Sequence, residues 1–509
     1  MTLFTRFVLI LSIFTIFSCG DSTNNNKNTL TLGIESKPKS LDPRYATDAN
    51  GMRISHHLIF STLVQLGYDL KIVPELAKSW EIKDNKTYIF HLRDNVFFHN
   101  GDKLLASDVR FTFEHLMDPK TKSPFAGTYK GIIDEIIVID DYTVKFVLKK
   151  PVASFLTSII MPVLPEKVVK KGGFAKELIG SGPFKLIKKL PTEISLTSFD
   201  KYYDGKPEFE NLKIKVIKDD NTRFLKMKKG ELDVVVNALP MNRVNKFKEG
   251  DLAKRYNVVE SPGVTYQYLA FNMNHPSVSN PDIRKAIAYG IDVKEIIKYR
   301  LDGHAILSKS LISPVNFFHD KSSKMYNYNP PKAIEHLNKA GFSPDKKLKL
   351  ELKTSNNAQV VGIARIIQAQ LAKIGIELKI TSYEWGTFYG DIKSGNFQFT
   401  SMRWVGVTEP DFYYDLFHSN QLPPKGRNRG RYVNKEIDKL VEKGRITLST
   451  PDRKLIYGKV QKILSNDLPY ISLWHMNNVS IVHKRVSGYK SHPTGAYLSL
   501  KNIVLRKDL

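Results

Sequence analysis

The chain has 509 residues, 42% hydrophobic and 11% aromatic, with 77 Lys and Arg against 51 Asp and Glu, a net charge of +26. That composition excludes a disordered or low-complexity chain, and the length exceeds what one hydrophobic core supports, so at least two lobes are expected. The basic residues are scattered and no helix-turn-helix or RNA-binding signature is present, so no nucleic-acid partner is expected; a solvated basic surface facing anionic lipid headgroups is the simpler reading.

At the N-terminus Arg6 precedes an apolar run from Phe7 to Phe17, followed by Ser18, Cys19 and Gly20. A charged start, a short apolar segment and a small residue before a cut site make a secretory signal peptide over residues 1–18, so the chain is read as exported. The run falls well below the roughly 20 residues of a membrane-spanning helix. Cys19 is the only cysteine, and Ile16-Phe17-Ser18-Cys19 resembles a bacterial lipobox, which implies acylation of Cys19 and a lipid anchor to the membrane. No second thiol exists, so neither an intrachain disulfide nor a thiolate metal site is available to the mature chain. Residues 19–29, ending in DSTNNNKNT, read as the lipidated cysteine and a polar tether.

After the tether, apolar alternation predicts strands at Leu30 to Ile34 and Tyr88 to Leu92. Valine, phenylalanine and leucine at helical spacing after Ser107, with Asp108 in the first turn, predict a capped helix that ends at Met117 before Pro119. Ile136 to Ile139 and Thr143 to Leu148 flank Asp140-Asp141-Tyr142 as a hairpin. Helix and strand then alternate: helix Asn221 to Lys229, strands Leu232 to Val236 and Thr265 to Phe271, helix Pro281 to Tyr289, strand Leu348 to Lys353, helix Val360 to Ile374, strand Glu377 to Thr381. Helix Glu384 to Lys393, strand Phe397 to Met402, and helices Lys435 to Thr447 and Pro451 to Ser465 complete the series. Alternation of this kind points to α/β lobes with partly parallel sheets, and no repeat at a solenoid period is visible.

Motifs for covalent or metal chemistry are not seen. There is no G-x-S-x-G elbow, H-E-x-x-H, calcium loop or phosphate-binding loop, and Gly180-Ser181-Gly182-Pro183 reads as a tight turn because proline removes a backbone donor. His56-His57 are neighbours that point apart on a helix, which makes a poor chelate; a metal reading would lean on His418 or His475. No enzyme activity and no cofactor are expected. Lys425, Arg427, Arg429, Arg431 and Lys435 form a basic cluster in a glycine-containing loop, either solvated or a docking patch.

The most specific stretch is Pro74-Glu75-Leu76-Ala77-Lys78-Ser79-Trp80, followed by Tyr88 to Gly101 (YIFHLRDNVFFHNG) and Leu105-Ala106-Ser107-Asp108-Val109. It resembles the signature region of the peptide/nickel-type solute-binding proteins of ABC importers, the group of oligopeptide- and dipeptide-binding proteins. Ser40-Leu41-Asp42-Pro43, Gly180 to Phe184, Leu269 to Asn272, Ile283 to Ile287, Gly375-Ile376-Glu377 with Glu384-Trp385, Pro469-Tyr470-Ile471 and Gly488 follow the family's order, so the resemblance covers nearly the whole mature chain.

The resemblance implies a two-lobed α/β clamp of the periplasmic-binding-protein type (type II, cluster C) with an additional small domain, monomeric and closing on its ligand by a hinge. Lobe I would comprise residues 30–50, 180–271 and 484–509, the extra domain 51–179 and lobe II 272–483, with crossings at Phe271-Asn272 and near His483. It implies a peptide ligand, with permease and ATPase subunits on separate chains. Trp385 and Trp404 match family positions that line the ligand cleft; Arg403, Gly406 and Trp474 are further pocket candidates. Peptide-binding members carry an aspartate for the ligand's ammonium after the tryptophan that Trp404 matches. Here Val407 stands at that place in Trp404-Val405-Gly406-Val407-Thr408-Glu409-Pro410, so either Glu409 is the substitute, the preferred reading, or the ligand has no free N-terminus at this end.

Overall fold

The computed structural model describes residues 28–506, so the expected signal peptide, Cys19 and most of the tether lie outside the described residues. Thr29–Ile34, buried along its whole length, lies parallel to Asn211–Val216 on one side and Val234–Val236 on the other. A strand flanked this way has both faces covered, which is why TLTLGI carries little polar side chain. Glu193–Ser198 and Phe184–Lys189 extend this region antiparallel to the sheet edge. Asp233 and Arg485 lock it internally: a bidentate pair at 2.6 and 2.7 Å, with Asp233 also accepting the Thr31 N–H at 2.8 Å and Arg485 donating to the Thr29 carbonyl at 2.8 Å. Three segments remote in sequence are thereby tied into one lobe.

Two long strands carry the sheet onward. Tyr256–Phe271 (16 residues) and Tyr470–His483 (14 residues) pair antiparallel from end to end. At one end, Val234–Val236 adds to Ser480–Val482; at the other, Phe399–Trp404 adds to Tyr266–Phe271, followed by Leu348–Ser355 and Ile376–Tyr383. One 11-stranded mixed sheet thus runs through both lobes. In the long ribbon the register shifts twice, between Pro262 and Thr265, the larger interruption, and between Gln267 and Tyr268. Separate apolar cores lie on either side of the larger shift, one built on Leu30, Leu32 and Ile214, others on Phe271, Leu352 and Ile367 and on Tyr268, Tyr413 and Tyr457. A further core, around Tyr88, Phe90, Phe113 and Phe146, fills the small domain, where helix Ala106–Met117 covers a four-stranded sheet of Ala77–Lys83, Thr87–Leu92, Thr143–Leu148 and Ile133–Asp140.

The expected helices and strands are present, with shifted ends. The strand expected from Thr265 begins at Tyr256, because Pro262-Gly263, which reads as a breaker, is a bulge inside a continuous ribbon. Phe271 and His483, where the crossings were expected, lie at opposite ends of that ribbon, with both register shifts between them. The cap of Ala106–Met117 also differs: Leu105 precedes the helix, and the Asp108 carboxylate reaches back to the Leu105 N–H at 2.9 Å and accepts the Glu166 N–H at 2.9 Å, so Asp108 rather than Ser107 supplies the capping side chain.

Candidate functional site

The second lobe presents a strand with a free edge beside the register break. Phe399–Trp404 is covered on one side by Tyr266–Phe271, but on the other its pairing with Leu348–Ser355 stops at Lys353 opposite Thr400. From Ser401 to Trp404 one row of backbone groups is therefore open. The chain then turns through Gly406, whose φ of +73° is costly for residues with a Cβ. The Val407 N–H donates to the Val264 carbonyl at 3.2 Å and the Asn316 side-chain amide donates to the Thr408 carbonyl at 2.7 Å, so the loop after the open edge is fixed to the crossing strand and to its own lobe. At the Pro262 to Thr265 register shift, Gly263 lies so close to the partner strand that a Cβ would stand 2.1 Å from the Met476 carbonyl oxygen.

Beside the open edge runs a continuous aromatic stack. Trp404 lies nearly parallel to Tyr268 (centroids 6.4 Å apart, 8°), and Tyr268 stacks on Tyr470 (4.3 Å, 10°). On the side of Trp404 towards Tyr389, the Arg429 guanidinium lies 4.8 Å from the Trp404 ring centre and 4.8 Å from that of Tyr389, and donates to the Tyr389 hydroxyl at 2.7 Å. Tyr389 stacks in turn on Trp385 (5.5 Å, 14°). Helix Trp385–Ser394 places Trp385 and Tyr389 one turn apart, which is why their rings meet.

A second polar cluster joins this lobe to the small domain. Glu409 pairs with Arg453 and accepts the Thr157 hydroxyl at 3.2 Å; Asp411 takes Arg445 at 3.3 Å and the Ser154 hydroxyl at 3.5 Å; the Ala153 N–H donates to the Arg445 carbonyl at 2.7 Å. Arg453 also donates to the Gly444 carbonyl at 3.0 Å. Burial pushes the Glu409 carboxyl up, and the Arg453 charge works against that rise.

Of the residues singled out in the sequence, the structure links Trp385 and Trp404 through Tyr389 and Arg429, while Arg403, beside Trp404 on the strand, points to the opposite face of the sheet and Gly406 forms the turn after it. Trp385 is 55% exposed, Arg403 and Gly406 are exposed and Trp404 is half-buried. Val407 is 0% exposed and packs into the core beneath the loop, and Trp474 is 1% exposed within the core on Leu269 and Leu473, so neither side chain offers a surface to a ligand. Glu409, expected to wait for a ligand ammonium, has Arg453 as its partner instead. His475 is fully enclosed, donates to the Leu311 carbonyl (3.1 Å) and is lowered to about 4 by burial; His418 pairs with Glu442 at 2.9 Å. Among the described residues no group of three or more potential ligands could hold a metal ion.

The basic cluster of residues 425–435 does not form one patch. Arg427 faces Asp415 at 3.5 Å, Lys435 faces Asp438 at 3.6 Å, Arg431 donates to the Arg429 and Lys393 carbonyls at 2.9 and 3.0 Å, and Arg429 enters the aromatic stack. Tyr268, Tyr389 and Arg453 escaped the reading of the sequence, in which Tyr470 stood only within a family motif and Arg429 only within the basic cluster. The i, i+2 spacing of Tyr266 and Tyr268 was a usable signal; nothing local marks Arg453.

Residues 71–422 match the family model of bacterial extracellular solute-binding proteins, family 5 Middle. The chain belongs to that family. It is a solute-binding protein of the peptide/nickel type found with ABC importers, not an enzyme. The dipeptide-binding protein of Escherichia coli strain K12 is 28% identical over 504 residues, covering 92% of this chain and 93% of its own length. NikZ of Campylobacter jejuni, in complex with Ni(L-His), superposes with a TM-score of 0.75 at 25% identity and covers 94% of this chain and 99% of its own. AppA of Bacillus subtilis, in complex with a nonapeptide, gives 0.73 at 26% identity with the same coverage, 94% and 99%. The family 5 fold, a two-lobed α/β clamp of cluster C, accounts for the ribbon that crosses between lobes and for the small domain packed beside them.

Proposed function

We propose that this chain is the lipid-anchored capture subunit of an importer, taking peptides from outside the cytoplasmic membrane and presenting them to a separate permease and ATPase. The open strand edge from Ser401 to Trp404 carries the reading. An extended peptide adds to such an edge through main-chain hydrogen bonds that do not depend on its sequence, while its side chains reach the aromatic surface on alternate positions. The relatives named for dipeptides and crystallised with a nonapeptide support the same ligand class. Binding across the lobes favours the closed arrangement, and that difference is what a permease reads. The lobe boundary in this reading is the register shift at Pro262 to Thr265, where the bulge interrupts regular pairing of the two crossing strands. Acylation at Cys19 would hold the clamp at the membrane; Cys19→Ala should release the chain from the membrane fraction.

A second reading is a ligand with no free ammonium at this end. It is favoured by the loop after Trp404, in which Val407 turns into the core and Glu409 is engaged by Arg453. Native mass spectrometry of the gently purified chain from Gly20, with analysis of what denaturation releases, tests both. A mixture of short peptides supports the peptide clamp; a single non-peptide compound or a metal complex replaces it with the second reading.

A further inference from the structure

The slot between Trp404 and Tyr389 holds a cation that the protein itself does not neutralise. Arg429 lies between the two rings with the Tyr389 hydroxyl as its hydrogen-bond partner, and no carboxylate lies within ion-pair distance of it among the described residues. The nearby acids are spoken for: Asp415 by Arg427 at 3.5 Å and Asp391 by Lys353 at 2.8 Å. Other cations adjoin the same wall, with Lys393 5.1 Å from the Tyr389 ring centre and Arg431 holding the Arg429 carbonyl at 2.9 Å. The hydrogen bond to the Tyr389 hydroxyl and the two ring contacts hold the guanidinium in place, with donors left over for an anion.

Placement makes this cation relevant to a ligand. Trp404 ends the open edge, and a chain added to that edge turns every second side chain to the sheet face on which Trp404 and Arg429 meet. A carboxylate arriving there gains a charge-assisted hydrogen bond with a partner already half out of water, whereas an ammonium meets an uncompensated like charge.

We propose that Arg429 is a specificity-determining residue of the ligand site and that the clamp selects peptides bringing a carboxylate to the slot beside Trp404, acidic peptides over basic ones. The inference rests on the peptide reading above. Isothermal titration of tripeptides that differ only in carrying Glu, Ala or Lys at each position, against the unaltered chain and Arg429→Gln and Arg429→Lys, tests it. At one position the Glu peptide is expected to bind about tenfold or more tighter than its Lys counterpart. Arg429→Gln should abolish that ratio, and Arg429→Lys, which keeps the charge but not the plane, should keep its direction. Tripeptides that bind without charge preference, or a preference that survives Arg429→Gln, would overturn the role of Arg429 and leave the peptide reading standing. Failure of every tripeptide to bind would overturn both.

Discussion

The carboxylate of Glu409 and the guanidinium of Arg453 form an ion pair enclosed where the second lobe meets the small domain, with the Thr157 hydroxyl at 3.2 Å completing it. The pair explains how a glutamate five residues after Trp404 is not free to serve a ligand. Both partners come from the same lobe, and Thr157 reaches them from the other side of the contact.

Breaking that pair should therefore show as lost stability. Glu409→Ala leaves Arg453 buried and unpaired, a loss of about 3–5 kcal/mol. Urea denaturation is the measurement, with ligand affinity of the folded variant expected to stay unchanged. A fall in affinity at unchanged stability would return Glu409 to the ligand site.

Tryptophan substitutions should separate the accessible rings from the enclosed one. Trp385→Ala, at a side chain 55% exposed, should shift stability by no more than about 0.5 kcal/mol while weakening ligand binding. Trp474→Phe should cost stability through the core that encloses it and leave the ligand-induced change in tryptophan fluorescence in place, whereas Trp404→Phe should remove most of that change. A fluorescence response that vanishes with Trp474→Phe and persists in Trp404→Phe would contradict this assignment.

The close approach at the register shift is tested by Gly263→Ala. The new methyl group would stand 2.1 Å from the Met476 carbonyl oxygen, and backbone cannot step aside as a flexible side chain can. Stability is expected to fall by about 1–3 kcal/mol, with small-angle scattering showing a changed spread of the lobes. A variant with unaltered melting and scattering would show that the two strands move apart freely at this point.

Glu75 provides a pH test within the small domain. Burial pushes its carboxyl up to about 7, although it accepts the Thr62 N–H at 3.0 Å and the Thr62 hydroxyl. The unfolded chain releases this proton near the ordinary 4.5, so between 4.5 and about 7 the folded form binds a proton that the unfolded form has lost. The stability tied to Glu75 is complete below that window and disappears as pH rises through it, an effect of about 3 kcal/mol. Glu75→Gln has no such titration, so its stability relative to the unaltered chain should rise between about pH 5 and about pH 8. A difference that stays constant across that range would refute the assignment.

Element type, the α/β class and the family were legible in the linear chain because they rest on local periodicity and on ordered motifs: alternation marked Leu30 to Ile34 as a strand, and helix Thr450–Asp467 announces itself by spacing and by proline in its first turn. Trp385, Trp404 and the loop after Trp404 were singled out from sequence as candidates. What tertiary structure alone decided is which of these side chains faces outward and which is already engaged. Trp474 and Val407 went into cores, Glu409 went to Arg453, and Arg429, one of several basic residues in a loop, became the cation of the aromatic stack. Those outcomes depend on contacts between residues far apart in the chain, 44 positions for Glu409 and Arg453 and 40 for Arg429 and Tyr389. Periodicity reports the faces of a single element, whereas charge pairing and ring stacking are settled only when separate elements meet in space.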